Sequence, residues 1–395
     1  MGRRTVDQHA ALVRGLLRAE LLDASERVPL ADAAGRVAAE DLRSGVDLPL
    51  FRNSQMDGYA VQTADVTTVP VVLSVAGVVA AGDAAPAPLE PGTAVKVMTG
   101  ATVPEGADAV IPVEDTEPVE DAVRIDRARE HGEFIRERGS DLRAGGVLVR
   151  AGTPLRSRHL AALAAAGVAD VLVRRRLRVA VITTGAELVE PGTTPAAGQV
   201  FDANRPALAA AVEEEGGILA FSDRVDDDPG DFAAALTRAI AVADLVVTSG
   251  GISHGDFEVV RQVLGPLGAD VVEIAMQPGG PQSTAVVEGV PVVSLPGNPV
   301  STQVSFAVFV RPLLREAAGL PGVEPFPATV EQPFASVAGK RQYRRGRLGE
   351  NGRVQLVAGP GSHLVAAMAS SDVLIVVPEA ATSVAAGDQV EVLPL

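Results

Sequence analysis

The sequence predicts a multidomain protein: a three-layer α/β/α domain, an inserted all-β module, a helical linker domain and a C-terminal β-barrel. Three observations carry this. The 395 residues exceed what one hydrophobic core holds. Apolar runs alternate with helical stretches from about Arg175 to Leu320, and short β-type runs fill two other regions.

Residues 5–22 place Val6, Val13, Leu16, Leu17 and Leu21 at helical spacing, so the chain opens with an amphipathic helix that has no core of its own. From Val46 to Asp141 the runs VVLSVAGVV, TAVKVMTG, DAVIPVE and DAVRID are broken by Gly, Pro and Asp, as in a small all-β module. TPLRSRHLAALAAAGVADVLV then resumes a helix and a strand, with Ser157 read as the N-cap. The module therefore reads as an insertion: residues 1–45 and 142–174 form the N-terminal helical domain and 46–141 the insert.

Residues 175–320 alternate LRVAVI, helix 204–215, ILAFSDRV, helix 231–243, DLVVTS, helix 256–264, DVVEI, TAVV, PVVSL and helix 300–318. Strands that are apolar throughout and separated by helices form a parallel or mixed sheet covered on both faces. The Pro/Gly-rich GLPGVEPFPATV then leads into short strands, the barrel of residues 321–395.

Composition excludes several classes. A formal charge of −16 repels phosphate backbones and anionic lipid, so neither nucleic acid nor a membrane is expected as a partner. With no cysteine there is no disulfide, thiolate zinc site or thiol nucleophile, which suits a cytoplasmic protein. MGRRTVDQHA has no apolar stretch behind its arginines, and no later apolar run reaches bilayer-spanning length.

Three loops share one grammar of apolar strand, Gly/Ser/Thr/Pro turn and helix: VITTGAEL (181–188), VVTSGGISHGD (246–256) and VVSLPGNPVST (292–302). Ligands of open α/β sheets bind where such loops converge beyond the strands' carboxyl ends. One such loop is an ordinary tight turn; three in one domain point to a phosphorylated small molecule. There is no GxxxxGK[ST] and no GxGxxG, so a P-loop kinase and a dinucleotide dehydrogenase lack support. His254 stands outside any HExxH or HxxxH pattern and reads as a polar loop residue. Carboxylates recur beside the loops: Asp57 in NSQMDGYAV, Asp141 in RGSDL, Glu187 in TTGAEL, Asp227 and Asp228 in VDDDP, Asp256 and Glu258 in HGDFE. Hard oxygens next to a phosphate-shaped site are what Mg2+ requires.

Taken in order, NSQMDGYAV, MTGA, EGADAVIPVE, TTGAEL, SGGISHGD, LPGNPVS and GPGSH resemble the MoeA-type molybdopterin molybdenumtransferases, which are similar to the gephyrin E domain. The resemblance runs from Val6 to the last strand and implies that the α/β domain is MogA-like. It implies an enzyme of molybdenum cofactor biosynthesis that inserts molybdate into adenylylated molybdopterin and releases AMP with Mg2+. A homodimer is implied too, with its site in a cleft between the α/β domain of one subunit and the β insert of the other. The molybdopterin adenylyltransferase is an implied partner. Carried over by position, Asp57, Glu187 and Asp228 are the catalytic carboxylates. Thr99, Asp141, Ser249, Gly250, Gly251, Pro296, Pro299 and Ser362 are the substrate-binding positions, and Glu187, Asp227, Asp228 and Asp256 the metal-binding ones.

The chain departs from the pattern at Ala186, where TGDEL has an acid, at Glu258, where GDYD has Asp, and at Gln277 and Gly280, where KPGKP has lysines. Those departures support an alternative, a paralogue that binds or scaffolds molybdopterin without efficient insertion. The basic stretch GKRQYRRGR (339–347) is either a replacement anion contact or a strand face of the barrel.

Overall fold

The computed structural model describes residues 3–84, 86–252 and 258–395. They pack as two compact units, Arg27–Leu172, and Met1–Glu26 together with Val173–Leu395.

In the first unit a six-stranded sheet runs in the order Ala109–Pro112, Gly58–Val61, Thr93–Val97, Val71–Val79, Ala122–Ile125, Thr116–Val119. All neighbours are antiparallel except Val71–Val79 beside Thr93–Val97. Successive residues of a strand point to opposite faces, so Tyr59 and Val61 join one buried cluster with Ile111 and Val123, while Ala60 joins another with Val97 and Val110. Both faces of the strand Gly58–Val61 are thus dry. Gly58 is required by close approach: a Cβ there would collide with Ile111 O. The helix of this unit is Ser157–Ala165, so Ser157 is its first helical residue and not its cap. Arg156 takes the cap position, and His159 Nδ1 accepts its N–H at 3.2 Å.

The second unit holds a six-stranded mixed sheet ordered Ile218–Val225, Arg178–Thr184, Leu245–Ser249, Val290–Leu295, Pro281–Val287, Asp270–Glu273. The first four strands are parallel, and Pro281–Val287 runs antiparallel to both of its neighbours. Val179, Val181, Leu245 and Val247 face a core shared with Leu208, Val212, Leu313 and Leu314. Ala180, Ile182 and Val246 face a second core with Phe232, Leu236 and Leu264. Two helical layers therefore sandwich the sheet, which is why its strands read as unbroken apolar runs. The opening helix, Val6–Leu16, takes its core here: its Val13, with Leu17 and Leu22 just beyond it, packs into the first cluster, and its Val6 packs with Ile274 and Phe309.

Two helices are shorter or more broken than their periodicity suggests. The opening stretch splits into Val6–Leu16 and Ala19–Leu22. Residues 299–318 form helix Pro299–Ser305, a π-helical turn Phe306–Val310 and helix Arg311–Ala318. Pro312 explains the second break, since it has no N–H to donate to the preceding turn.

At the C-terminus five strands close into a barrel: Phe326–Val330 pairs with Gln389–Pro394, which pairs with Val373–Val377, then Arg341–Leu348, then Arg353–Leu356, which returns to Phe326–Val330. The basic stretch is one of these strands, and its cations are engaged. Arg341 binds Asp7 and Glu379, Arg344 stacks on Phe334, Arg345 donates to Gly359 O and Gly361 O, Arg347 to Ser370 O, and Lys340 to Glu273. The structure thus supports the strand-face reading: cations satisfied within the fold make a poor anion site. Among the described residues no helix is long and apolar enough to cross a membrane.

Candidate active site

The three loops start side by side because their strands are in register: Thr183 pairs with Ser249 and Ser249 with Leu295. Beyond these carboxyl ends lies a cavity of about 500 Å³. Its floor is backbone, from Gly185, Gly250, Gly251 and Gly297. Gly250 and Gly251 hold φ of 98° and 65°, and a Cβ on Gly250 would stand 2.6 Å from Thr184 O. Only glycine combines that conformation with that approach. Glu187, Asp227 and Glu258 bring carboxylates to the cavity, and Asn298 and Ser301 bring neutral polar groups.

Glu187 and Asp227 meet at one turn. Asp227 Oδ2 accepts the Ala186 N–H at 3.1 Å, and a Cβ on Gly185 would lie 2.6 Å from Glu187 Oε2, so this glycine leaves room for the carboxylate. Among the described residues no three His, Cys, Asp or Glu side chains cluster as a complete metal cage. Two carboxylates at a cavity wall fit Mg2+, which takes one or two from protein and fills its octahedron with phosphate oxygens and water.

Other expected residues are placed differently. Asp228 caps the helix Pro229–Ile240: its Oδ1 accepts the N–H groups of Gly230 at 2.8 Å and Asp231 at 3.0 Å, and it does not line the cavity. Ser249 is buried behind the cavity wall, its hydroxyl donating to Pro296 O at 3.1 Å. Pro296 lines the cavity, whereas Pro299 is the first residue of helix Pro299–Ser305. Ser362 contributes backbone: its carbonyl accepts the Val300 N–H at 3.0 Å. Asp256 and His254 lie outside the described residues.

Asp57, Thr99 and Asp141 belong to the other unit. Asp57 Oδ1 accepts both the N–H of Thr99 at 2.6 Å and its hydroxyl at 2.8 Å. Those two donors, the backbone one first, hold the exposed carboxyl below its usual range. Strand register makes the pair, since Gly58 lies opposite Val97 and each residue follows or precedes by one or two positions. Asp141 sits in a separate turn, its N–H donated to Leu48 O at 3.0 Å.

Asn298 and Ser301, both inside LPGNPVS, and Asn204 are polar residues at or behind this cavity beyond those expected from the motifs. A polar pair flanking a helix start, Asp202 and Asn204 in FDAN, is the signal that points to Asn204.

A second cavity of about 480 Å³ borders helix Arg311–Ala318 and the barrel. Its arginines are already occupied, Arg315 by Glu215 and Arg341 by Asp7.

A mixed three-layer domain whose glycine loops and carboxylates converge at the strand ends defines the class of molybdopterin-binding domains, and a family described as a probable molybdopterin binding domain matches residues 180–316. The MoeA N-terminal region (domain I and II) matches residues 4–167 and the MoeA C-terminal region (domain IV) residues 327–395. Molybdopterin molybdenumtransferase 2 of Mycobacterium tuberculosis is 41% identical over 408 residues, spanning 99% of this chain and 100% of its own. The molybdopterin molybdenumtransferase of Haemophilus influenzae is 35% identical over 379 residues, 94% of each chain. A crystal structure of the molybdopterin biosynthesis MoeA protein from Pyrococcus horikosii superposes with a TM-score of 0.82 at 34% identity, covering 100% of this chain and 99% of that one. The chain belongs to the MoeA family.

Proposed function

We propose that this chain is a molybdopterin molybdenumtransferase that inserts molybdate into adenylylated molybdopterin and releases AMP in molybdenum cofactor biosynthesis. The observation that carries the reading is the convergence of three glycine-rich loops and the carboxylates of Glu187 and Asp227 on one cavity, in a chain that matches MoeA relatives end to end.

The chemistry asked of such a site is cleavage of a phosphoanhydride, which depends on positioning and charge neutralisation more than on a protein nucleophile. The backbone of Gly250, Gly251 and Gly297 lets phosphate oxygens come close. Asn298 and Ser301 orient the ligand from the cavity wall through neutral hydrogen bonds. Glu187 and Asp227 would hold a Mg2+, which when bound supplies the positive charge that offsets the phosphates. Asp57, ionised by its two bonds from Thr99, is a fixed acceptor for a proton or a water. Asp141 completes the proposed set.

The proposal includes a homodimer, a four-domain subunit divided near residues 45, 141, 174 and 320, a cytoplasmic location and substrate delivered by a molybdopterin adenylyltransferase. Purified protein mixed with adenylylated molybdopterin, Mg2+ and molybdate should release AMP in a molybdate-dependent way. A second reading, a member that holds the cofactor without efficient insertion, is favoured by Gln277 and Gly280. The amide of Gln277 is engaged by Gln342 at 2.6 Å, and Glu273 covers the Gly280 position, so neither offers a free cation to molybdate. AMP release that ignores molybdate would select this second reading.

A further inference from the structure

Behind the cavity wall runs a buried chain of hydrogen bonds that crosses three adjacent strand ends. Thr183, on the first strand, donates its hydroxyl to Asp202 Oδ2 at 2.6 Å. Asp202 is wholly buried, and its Oδ1 accepts the N–H groups of Asn204 at 3.1 Å and Arg205 at 3.0 Å, which fixes the start of helix Asn204–Glu214. Asn204 Nδ2 then donates to Ser249 Oγ at 2.9 Å and to Gly297 O at 2.7 Å. Ser249 and Thr302 hydroxyls both reach Pro296 O, at 3.1 and 2.6 Å.

Proton counting settles the amide's orientation. Gly297 O can only accept, so the Asn204 nitrogen must face it, and the Ser249 hydroxyl, whose proton has Pro296 O and Thr302 Oγ1 within 3.1 Å, accepts from the same nitrogen. Its Nδ2 supplies both protons. Its Oδ1 is left buried without a partner among the described residues. A buried acceptor without a donor costs stability, so the contribution of this amide is geometric.

We propose that Asn204 is a positioning residue for the cavity: it ties the strand end that enters the Ser249–Gly251 loop to the carbonyl of Gly297, and so sets the gap between the two backbones on which the ligand lies. This rests on the proposed function, since it assigns the strut to the same cavity. A strut of this kind acts on ligand affinity through loop position, so its loss raises KM more than it lowers kcat.

Two variants test it. Asn204→Asp reverses both donors at constant size, and Thr302→Val, also isosteric, removes the shorter of the two hydroxyl bonds to Pro296 O without adding charge. Hydrogen exchange is followed at the Gly250 amide, which donates to Leu295 O at 3.2 Å, and at the amides of the six strands. AMP release from adenylylated molybdopterin is measured in parallel. The expected result in either variant that folds is exchange roughly tenfold faster at Gly250 with the strand amides unchanged, and KM about tenfold higher with kcat altered less than about threefold. An unchanged KM, or protection lost evenly through the sheet, overturns the proposal. If the wild-type protein releases no AMP, the function reading falls, and the exchange result alone decides whether Asn204 holds the loops.

Discussion

Asp57 and Thr99 illustrate how two residues of one turn set a charge. The N–H and the hydroxyl of Thr99 both stabilise the ionised carboxyl and hold its folded pKa below the ordinary carboxylate value. A depressed carboxylate favours the folded state above the unfolded pKa, and the benefit is lost as pH falls through the folded value. Because the group is exposed, the effect is on titration more than on stability. Thr99→Val removes one donor and keeps the other, so NMR titration should find the Asp57 pKa moved up towards the ordinary value. Ionisation of Asp57 then does not shape the AMP-release profile near neutrality. Glu187 and Asp227 are different, since each is proposed to hold metal. Glu187→Gln and Asp227→Asn keep shape and lose charge, and each should reduce AMP release by about tenfold at limiting Mg2+. Release that is unaltered in both would place the metal elsewhere.

At the scale of elements, the helix Pro229–Ile240 decides what Asp228 does. An N-cap carboxylate that binds two orphan N–H groups is worth about 0.5–2 kcal/mol against alanine. Asp228→Ala should lower the urea midpoint accordingly and leave the Mg2+ dependence of AMP release as it was. The helix Val6–Leu16 makes a second case. His9 on it is buried with its ring edge-on to Phe309 at 4.7 Å, and burial, with Arg4 adding to it, pushes its pKa down to about 4, while Asp270 acts the other way. Between pH 6.5 and about 4 the unfolded chain binds a proton at His9 that the folded chain refuses. Stability therefore falls as pH drops through that window, by at most about 1.4 kcal/mol per pH unit from this one group. His9→Met, neutral and of similar volume, should show a flatter fall between pH 7 and 5 in urea titrations. Parallel curves for the two proteins would assign the loss to other groups.

For the whole molecule the governing quantity is charge. At −16 per chain, a second copy is repelled at long range. The proposed homodimer must overcome that by contact, and salt that screens beyond about 8–10 Å should help it. Light scattering is expected to find a dimer whose dissociation constant falls between low and physiological ionic strength. A monomer with full AMP release would remove the dimer from the proposal. The same charge opposes nucleic acid, and the engaged arginines of the barrel strand do not reverse it.

The sequence by itself determined the architecture and the location of the cavity. Strands such as Arg178–Thr184 and Leu245–Ser249 are apolar on both faces until their carboxyl ends, where buried Thr183, Thr184, Thr248 and Ser249 take over, and that pattern is written locally. So is the need for glycine at positions 250 and 251, because φ and Cβ space belong to single residues. Tertiary structure decided which polar side chains reach the cavity. Asp227 and Asp228 are neighbours with one chemistry, yet one bonds Ala186 across the sheet's end and the other caps its own helix. The one short-range mark that tells them apart is Pro229 just after Asp228, a cap signal; that Asp227 reaches Ala186 is not written locally. The arginines of the barrel strand were engaged by Asp7, Glu379 and distant carbonyls, and Asn204 by Ser249 and Gly297, 45 and 93 residues away. Periodicity and turn chemistry are short-range and survive in the sequence, whereas a polar group's partner is set by where the closed chain brings it.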